Sequence, residues 1–153
     1  MRPVVAVVLV LTTALAGCGG ATTETVAAKN ADKQLRTVGQ APTFVCVEKA
    51  TEKPLPAGFP KTFALPAGSV VIGSEKRSAG RVIVYAVSPH DVKSTLHSMQ
   101  QIPAAGFKLT EGEVEERDAE SNWKGNGYLG RWAIREMPNC TGQTSVTVLA
   151  QKQ

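Results

Sequence analysis

The first 18 residues constrain the fold most, because they decide which part of the chain is left to fold. A basic start at Arg2 is followed by an apolar run over residues 4–14 and then by Leu15-Ala16-Gly17-Cys18. The run is shorter than the ~20 apolar residues that a helix needs to cross a bilayer. A basic start, an apolar run and small residues in this order are typical of a secretory signal peptide. We therefore expect residues 1–17 to be removed and the rest to fold outside the cytoplasm.

The cysteine at position 18 indicates a particular kind of signal peptide. Small residues directly before a cysteine, as in Leu15-Ala16-Gly17-Cys18, resemble the lipobox of bacterial lipoproteins. The resemblance implies a diacylglyceryl group on the Cys18 sulfur, cleavage between Gly17 and Cys18, and retention at the extracytoplasmic face of the cell membrane. Two or more acyl chains hold a protein there firmly, whereas a single chain is marginal. The alternative is an ordinary signal peptide that happens to precede Cys18.

The remaining two cysteines predict a disulfide. Once Cys18 is acylated, Cys46 and Cys140 are left as one pair in an exported chain, and such a pair usually forms a disulfide in an oxidising compartment. Closing so long a loop stabilises the fold by about 4–5 kcal/mol on chain-entropy reasoning. Free thiols or metal ligands are the alternative, but neither cysteine belongs to a C-x-x-C pair or has a neighbouring histidine.

Composition divides the mature chain into a tether and one domain. Residues 18–41 are rich in Ala, Thr and Lys and cannot bury a core, so we expect a lipidated flexible tether. Residues 42–153 contain the apolar segments and predict a single domain. Its proline-rich segment, residues 54–68, is expected to be extended and to cover the domain surface. A polyproline ligand for a partner is the alternative, although the segment has no clear P-x-x-P pattern.

Hydrophobic patterning predicts an α+β fold. Ser78-Ala79-Gly80 suits a hairpin turn, while Ser88 as N-cap and Pro89 at the first helical position predict the start of a helix. The expected strands before the helix lie at residues 70–72 and 82–87. After the helix, one strand begins with Phe107 and Leu109 and runs into the acidic residues 111–120, and two more lie at residues 128–136 and 144–150. We predict an antiparallel sheet of four to six strands with one helix packed on a face, in the order β-β-α-β-β-β. A short strand at Cys46 would be an addition to that order.

Several parts of the chain together resemble the small lipoproteins of high-GC Gram-positive bacteria. The resemblance rests on the lipobox, the polar tether, the proline run, the helix end Ala104-Ala105-Gly106-Phe107, and Gly125, Gly127 and Gly130 before a tryptophan strand. It implies a location and an architecture. That group of lipoproteins is largely without assigned activity.

Residue types that carry chemistry are present without a catalytic arrangement. Ser88, His90 and Asp91 are triad types, but neighbours at a helix start cannot adopt triad geometry, and capping already explains Ser88 and Asp91. His90 and His97 would lie roughly 10.5 Å apart along a helix, too far to share a metal ion easily. We therefore expect no enzyme activity, no cofactor and no metal.

The charges are unevenly distributed. Residues 111–120 carry six acidic residues and one arginine, in a chain whose net charge is +4. The basic remainder would suit anionic headgroups or wall polymer, whereas a solvated surface, with the acids guarding an edge strand, is the simpler interpretation. Nucleic acid is not an expected partner, because the chain has no basic cluster interleaved with aromatic residues and would lie in the wrong compartment.

The bulky aromatic residues supply the candidate contact site. Trp123, Tyr128 and Trp132 are close in sequence and are expected either in the core or, where exposed, in contact with a protein or cell-envelope partner. The sequence therefore predicts a lipid-anchored binding or accessory module without catalytic activity. The alternative is a carrier of a small hydrophobic or lipid ligand in a pocket between helix and sheet.

Overall fold

Two strands rich in β-branched residues form the first hairpin. The computed structural model describes residues 42–153, and in it β1 (Val70–Lys76) pairs antiparallel with β2 (Arg81–Ser88). The turn between them holds Ala79 and Gly80 at φ 58° and 69°, a left-handed conformation that glycine adopts without steric cost. Every residue of β2 after the first is buried, because both faces of this strand are covered.

The helix begins three residues later than predicted. In α1 (Val92–Met99) the N-cap is Asp91, whose carboxylate accepts a hydrogen bond from the Ser94 amide at 2.7 Å. Ser88, the predicted N-cap, is instead the last residue of β2, and its buried hydroxyl lies 2.9 Å from Thr95 Oγ1. Strand pairing keeps Ser88 extended, so the helix starts after the next residue that can cap it.

Four strands follow the helix as an antiparallel meander. They are β3 (Phe107–Val114), β4 (Asp118–Gly125), β5 (Tyr128–Glu136) and β6 (Thr144–Lys152). The last strand returns to pair with β2, which gives the order β1-β2-β6-β5-β4-β3 with all neighbours antiparallel. The predicted α+β class is confirmed, and the six strands lie within the predicted range.

The predicted order β-β-α-β-β-β is wrong because it omits β4. Ala119 and Trp123 are the apolar residues that this strand buries on one face, and Ser121 lies between them. Both Ser121 and Asn122 are 6% exposed, since β4 lies between β3 and β5. Polar residues buried by neighbouring strands remove the alternation that marks a strand in sequence. The additional strand at Cys46 is also not formed, and a 3-10 turn follows this residue instead.

One face of the sheet, the helix face, carries the main core. Met99 of α1 and Ile102 after it belong to the same buried cluster as Val84 and Trp132 of the sheet. Phe59 and Phe63 of the proline-rich segment belong to this cluster too. Helix and proline-rich segment therefore cover the same face. The other buried members of the cluster are Val71, Val82, Ala86, Phe107, Ala119, Trp123, Ile134, Val146, Val148 and Ala150.

The opposite face, the arm face, is covered over β1 and β2 by residues 42–50, which we call the arm. The Phe44 ring meets the Tyr85 ring edge-on, with centroids 6.3 Å apart. Ile83 and Leu149 are buried in the same cluster, against which Ile72 packs. The arm therefore supplies the second cover that makes β2 a central, fully buried strand.

No helix within residues 42–153 is long and apolar enough to cross a membrane. The predicted signal peptide, the lipidation site Cys18 and the tether fall outside these described residues, and they stay predictions from sequence.

Candidate functional site

Three hydroxyl side chains hold the segment between β2 and α1 in place. The hydroxyls of Thr144 and Thr95 donate to the His90 carbonyl oxygen at 2.8 and 3.2 Å, and Ser88 Oγ lies 2.9 Å from Thr95 Oγ1. The His90 ring points elsewhere, with Nε2 3.1 Å from the Ala67 carbonyl oxygen. A nucleophile needs its base within hydrogen-bond reach, and this arrangement places the imidazole beside a backbone carbonyl instead. The cluster fixes the start of the helix.

The two histidines and the capping carboxylate are exposed. His90, Asp91 and His97 all face solvent, and the hydrogen bond from the Ser94 amide lowers the pKa of Asp91. Within residues 42–153 no group of three or more His, Cys, Asp or Glu side chains is arranged to hold a metal ion. Asp91 caps the helix, and the His90 ring lies beside the Ala67 carbonyl oxygen.

The predicted contact residues lie mainly inside the protein. Trp123 and Trp132 are each 1% exposed, and Tyr128 is partly buried against the main core. The Trp123 ring centroid lies 4.9 Å from that of Phe63 and 5.2 Å from that of Phe107. Of the two alternatives that the sequence leaves open, the core is the one that both indoles occupy, because they belong to the main buried cluster together with residues of the sheet, the helix and the proline-rich segment.

A glycine makes room for the indole of Trp123. Gly130 of β5 is directly opposite Trp123 of β4, and a Cβ atom at Gly130 would lie 2.5 Å from Cζ2 of the indole and 2.0 Å from the Leu149 carbonyl oxygen of β6. Glycine within a strand often marks such a close approach. The Nε1 atoms of Trp123 and Trp132 are buried and have no hydrogen-bond partner among the described residues, so packing alone positions the two rings.

A disulfide joins the arm to the connection between β5 and β6. Cys46 and Cys140 are joined as a disulfide, as the sequence predicts, with Cα atoms 5.4 Å apart and a sequence separation of 94. Cys140 is buried in a cluster with Val87 and Met137, and Cys46 packs against it. The bond therefore links the first described segment to the β5–β6 connection.

Gln143 reinforces this link. Its Oε1 accepts the Val47 amide at 2.8 Å, and its Nε2 donates to Glu48 at 3.1 Å. The second bond is the main reason that the pKa of Glu48 is lowered. One amide side chain therefore holds both the backbone and a carboxylate of the arm. Gln143 could not be identified from the sequence, because it is 96 residues away from Val47 and only the folded structure brings the two together.

A buried ion pair lies on the arm face beyond the arm. Arg131 of β5 is 8% exposed and forms an ion pair with Glu120 of β4. Its Nη1 also donates to Asn122 Oδ1 at 3.2 Å. Sequence reasoning missed this pair, because it assigned Glu120 to a continuous acidic surface and did not predict β4.

A second polar group surrounds Tyr85. The Tyr85 hydroxyl donates to Glu75 Oε2 at 3.2 Å, and Arg77 donates to the same oxygen at 2.6 Å. Burial, and then the negative charge of Glu75, raise the pKa of Tyr85 well above its usual range. The Glu75 hydrogen bond likewise raises the pKa of Arg77. These three side chains tie the β1–β2 hairpin together.

The polar groups described above serve the fold, because each one caps a helix, fastens the arm or joins neighbouring strands. Comparisons with known protein families, with curated proteins and with solved structures gave no match.

Proposed function

We propose that this protein is a lipid-anchored binding or accessory module on the extracytoplasmic face of the cell membrane, without catalytic activity of its own. The observation that carries the proposal is the fastening of the arm. The arm, residues 42–50, follows the predicted tether in sequence, and its Cys46 is covalently bound to Cys140. A force applied through the proposed anchor would therefore act on the disulfide before it could act on β1, the edge strand of the sheet.

The disulfide also supports the proposed compartment. Such bonds persist in oxidising, exported environments and are rare in the reducing cytosol. The lipobox at Leu15-Ala16-Gly17-Cys18 supports the same location from sequence. Together they favour export followed by retention through acyl chains on Cys18.

The packing of the helix face supports binding at the surface over carriage of an internal ligand. The rings of Phe63, Phe107 and Trp123 are in mutual contact, with centroids 4.9–5.5 Å apart. These rings occupy the layer between helix and sheet where a carried hydrophobic ligand would have to lie. We therefore prefer a module that acts through its outer surface.

Metabolic labelling with a tagged fatty acid tests the anchor. Wild-type protein made in a bacterium that processes lipoproteins should take up the label, and Cys18→Ala should not. The double variant Cys46→Ala/Cys140→Ala is the matched control, because it removes the other cysteines and should label as wild type does. Equal labelling of wild type and Cys18→Ala would contradict the anchor.

A further inference from the structure

The register of the sheet brings basic side chains of three strands into one row on the arm face. Arg81 of β2 pairs with Gln151 of β6, and Lys124 of β4 pairs with Lys108 of β3. Leu129 of β5 connects the two pairs, being directly opposite both Gln151 and Lys124. Residues directly opposite each other point to the same face of a sheet. The row across the arm face is therefore Arg81, Gln151, Leu129, Lys124 and Lys108, with a basic residue at each end.

Turns at the same end of the sheet add further positive charge. Lys152 lies directly opposite Tyr128, and the Asn126 amide of the β4–β5 turn donates to the Thr62 hydroxyl, which brings Lys61 to this end as well. We call the whole set the basic end: Lys61, Lys76, Arg77, Arg81, Lys108, Lys124 and Lys152. Several of these side chains, including that of Lys152, are exposed.

The β3–β4 hairpin carries the opposite charge at the other end of the sheet. Residues 111–120 hold six acidic residues and one arginine, and Arg117 forms an ion pair with Glu136 at 3.2 Å. Along β3, Lys108 and Glu113 are separated by roughly 17 Å at ~3.3 Å per residue. At the basic end Glu75 forms an ion pair with Arg77 and offsets the charge of that arginine, so the other basic residues supply the positive charge of this end. The described domain therefore has one positive and one negative end.

The register of the sheet groups these charges by sign. Lys108 lies directly opposite Lys124, and Glu113 lies directly opposite Glu120, whose carboxylate also forms an ion pair with Arg131. Basic side chains therefore lie at one end of β3 and β4, and acidic side chains lie at the other.

We propose that the basic end docks onto anionic lipid headgroups of the membrane to which the protein is anchored, an inference that rests on the proposed function. Ammonium and guanidinium groups are attracted to the negative surface of an anionic leaflet, and the attraction acts within about a Debye length of it. The same surface repels the acidic hairpin. The domain is therefore held with Lys108 and Lys152 toward the bilayer and residues 111–120 toward partners beyond it.

Charge, and not the length of the connection, sets this orientation. The chain between residues 18 and 42 reaches at most about 80 Å when fully extended. It can bring either end of the domain to the membrane. Pro42, where the described chain begins, lies against Gly73 on the arm face and does not itself favour one end.

Vesicle co-sedimentation tests the proposal with the chain from residue 18 carrying Cys18→Ser, so that no acyl chain contributes. At low ionic strength the protein should bind vesicles that contain phosphatidylglycerol and should not bind vesicles of phosphatidylcholine alone. The variant Lys76→Gln/Lys108→Gln/Lys152→Gln removes three exposed charges of the basic end. At about fivefold for each charge, we expect its partition coefficient to fall by about 100-fold.

A matched variant removes the same charge elsewhere. Lys49, Lys53 and Lys93 are exposed and lie away from the basic end, since Lys49 follows Cys46, the Lys53 amide bonds to the Val71 carbonyl, and Lys93 is in the first turn of α1. The variant Lys49→Gln/Lys53→Gln/Lys93→Gln should retain most of the binding. Circular dichroism and an intact disulfide should show that both variants are folded.

The vesicle experiment tests docking by the basic end independently of the lipid anchor. Equal losses in the two triple variants would mean that net charge, and not the basic end, drives binding, and would overturn the proposal. Absence of binding to anionic vesicles at low ionic strength would also overturn it. Neither result bears on whether Cys18 is acylated, which the labelling experiment measures independently.

Discussion

Gly130 has no side chain, and this leaves room for the indole of Trp123 to lie against the sheet. Adding a methyl group there would place a Cβ atom 2.0 Å from the Leu149 carbonyl oxygen and 2.5 Å from Cζ2 of Trp123, and overpacking of a core costs about 1–3 kcal/mol, sometimes more. We expect Gly130→Ala to lower the free energy of unfolding by about 3 kcal/mol, measured by urea denaturation followed by tryptophan fluorescence.

Gly142 provides the control for this substitution. It has φ 73°, and a Cβ atom added there would have no heavy atom within 4 Å, so Gly142→Ala carries only the left-handed backbone cost of about 1–2 kcal/mol. Equal losses in the two variants would show that both the indole and the backbone at Leu149 can move away from residue 130, and that the packing is looser than described.

Tyr85 predicts a loss of stability at alkaline pH. Its pKa in the folded protein is raised above the ordinary value of 10.0 by burial and by Glu75. The unfolded chain therefore gives up the phenol proton first, so the stabilisation is complete below pH 10.0 and is lost as the pH rises beyond it. Urea denaturation across this range should show a falling free energy of unfolding for the wild type.

The comparison variant is Tyr85→Phe, which cannot titrate. Its free energy of unfolding should fall less steeply above pH 10.0 than that of the wild type. The phenolate absorbance that wild type shows in excess of the variant should develop only on unfolding or well above that pH. A normal titration of this excess absorbance would show that Tyr85 is accessible to solvent.

At the scale of elements, the arm depends on its covalent bond. Closing a loop with a sequence separation of 94 stabilises a protein by about 4–5 kcal/mol in the chain-entropy model. We expect Cys46→Ser/Cys140→Ser to lose about this much free energy of unfolding, measured by guanidinium denaturation. A loss below about 1 kcal/mol, far under the chain-entropy value, would show that Phe44 and Gln143 hold the arm in place without the disulfide.

The elements also show which parts of this fold can be predicted from the sequence. Alternation at Trp132 and Ile134, and again at Val146 and Val148, identifies β5 and β6, since half-buried strands carry a period of two. The strand β4 buries polar side chains between two neighbours and leaves no such period. An N-cap can likewise be recognised by residue type, but strand pairing decides in favour of Asp91 over Ser88.

The site residues follow the same division. The Cys46–Cys140 pair could be predicted because only two cysteines were left to pair. The Arg131–Glu120 ion pair and the basic row could not, because both depend on the register of strands that are distant in sequence. A one-residue change of register would place these side chains on the other face. The tryptophans are ambiguous in sequence, and the position of Gly130 opposite Trp123 explains why that indole is buried.

At the scale of the whole molecule, a central sheet is covered on one face by the helix with the proline-rich segment, and on the other face, over β1 and β2, by the arm. The arm follows the predicted tether in sequence, so in the proposed arrangement the tether leads to a segment that is packed on the sheet and held by the disulfide. The basic end and the acidic residues 111–120 lie at opposite ends of the sheet, so the domain is electrically polar. In the proposed arrangement a lipid anchor holds the protein at the bilayer, and the basic end then determines which side faces it.

Mass spectrometry of the N-terminal peptide tests the lipid anchor most directly. The protein would be purified from membranes of a bacterium that processes lipoproteins, and its first residue and modification would be read from the fragment spectrum. The account predicts a chain that begins at Cys18 with a diacylglyceryl group on the sulfur. A chain that begins at another residue, or an unmodified Cys18 thiol, would contradict it.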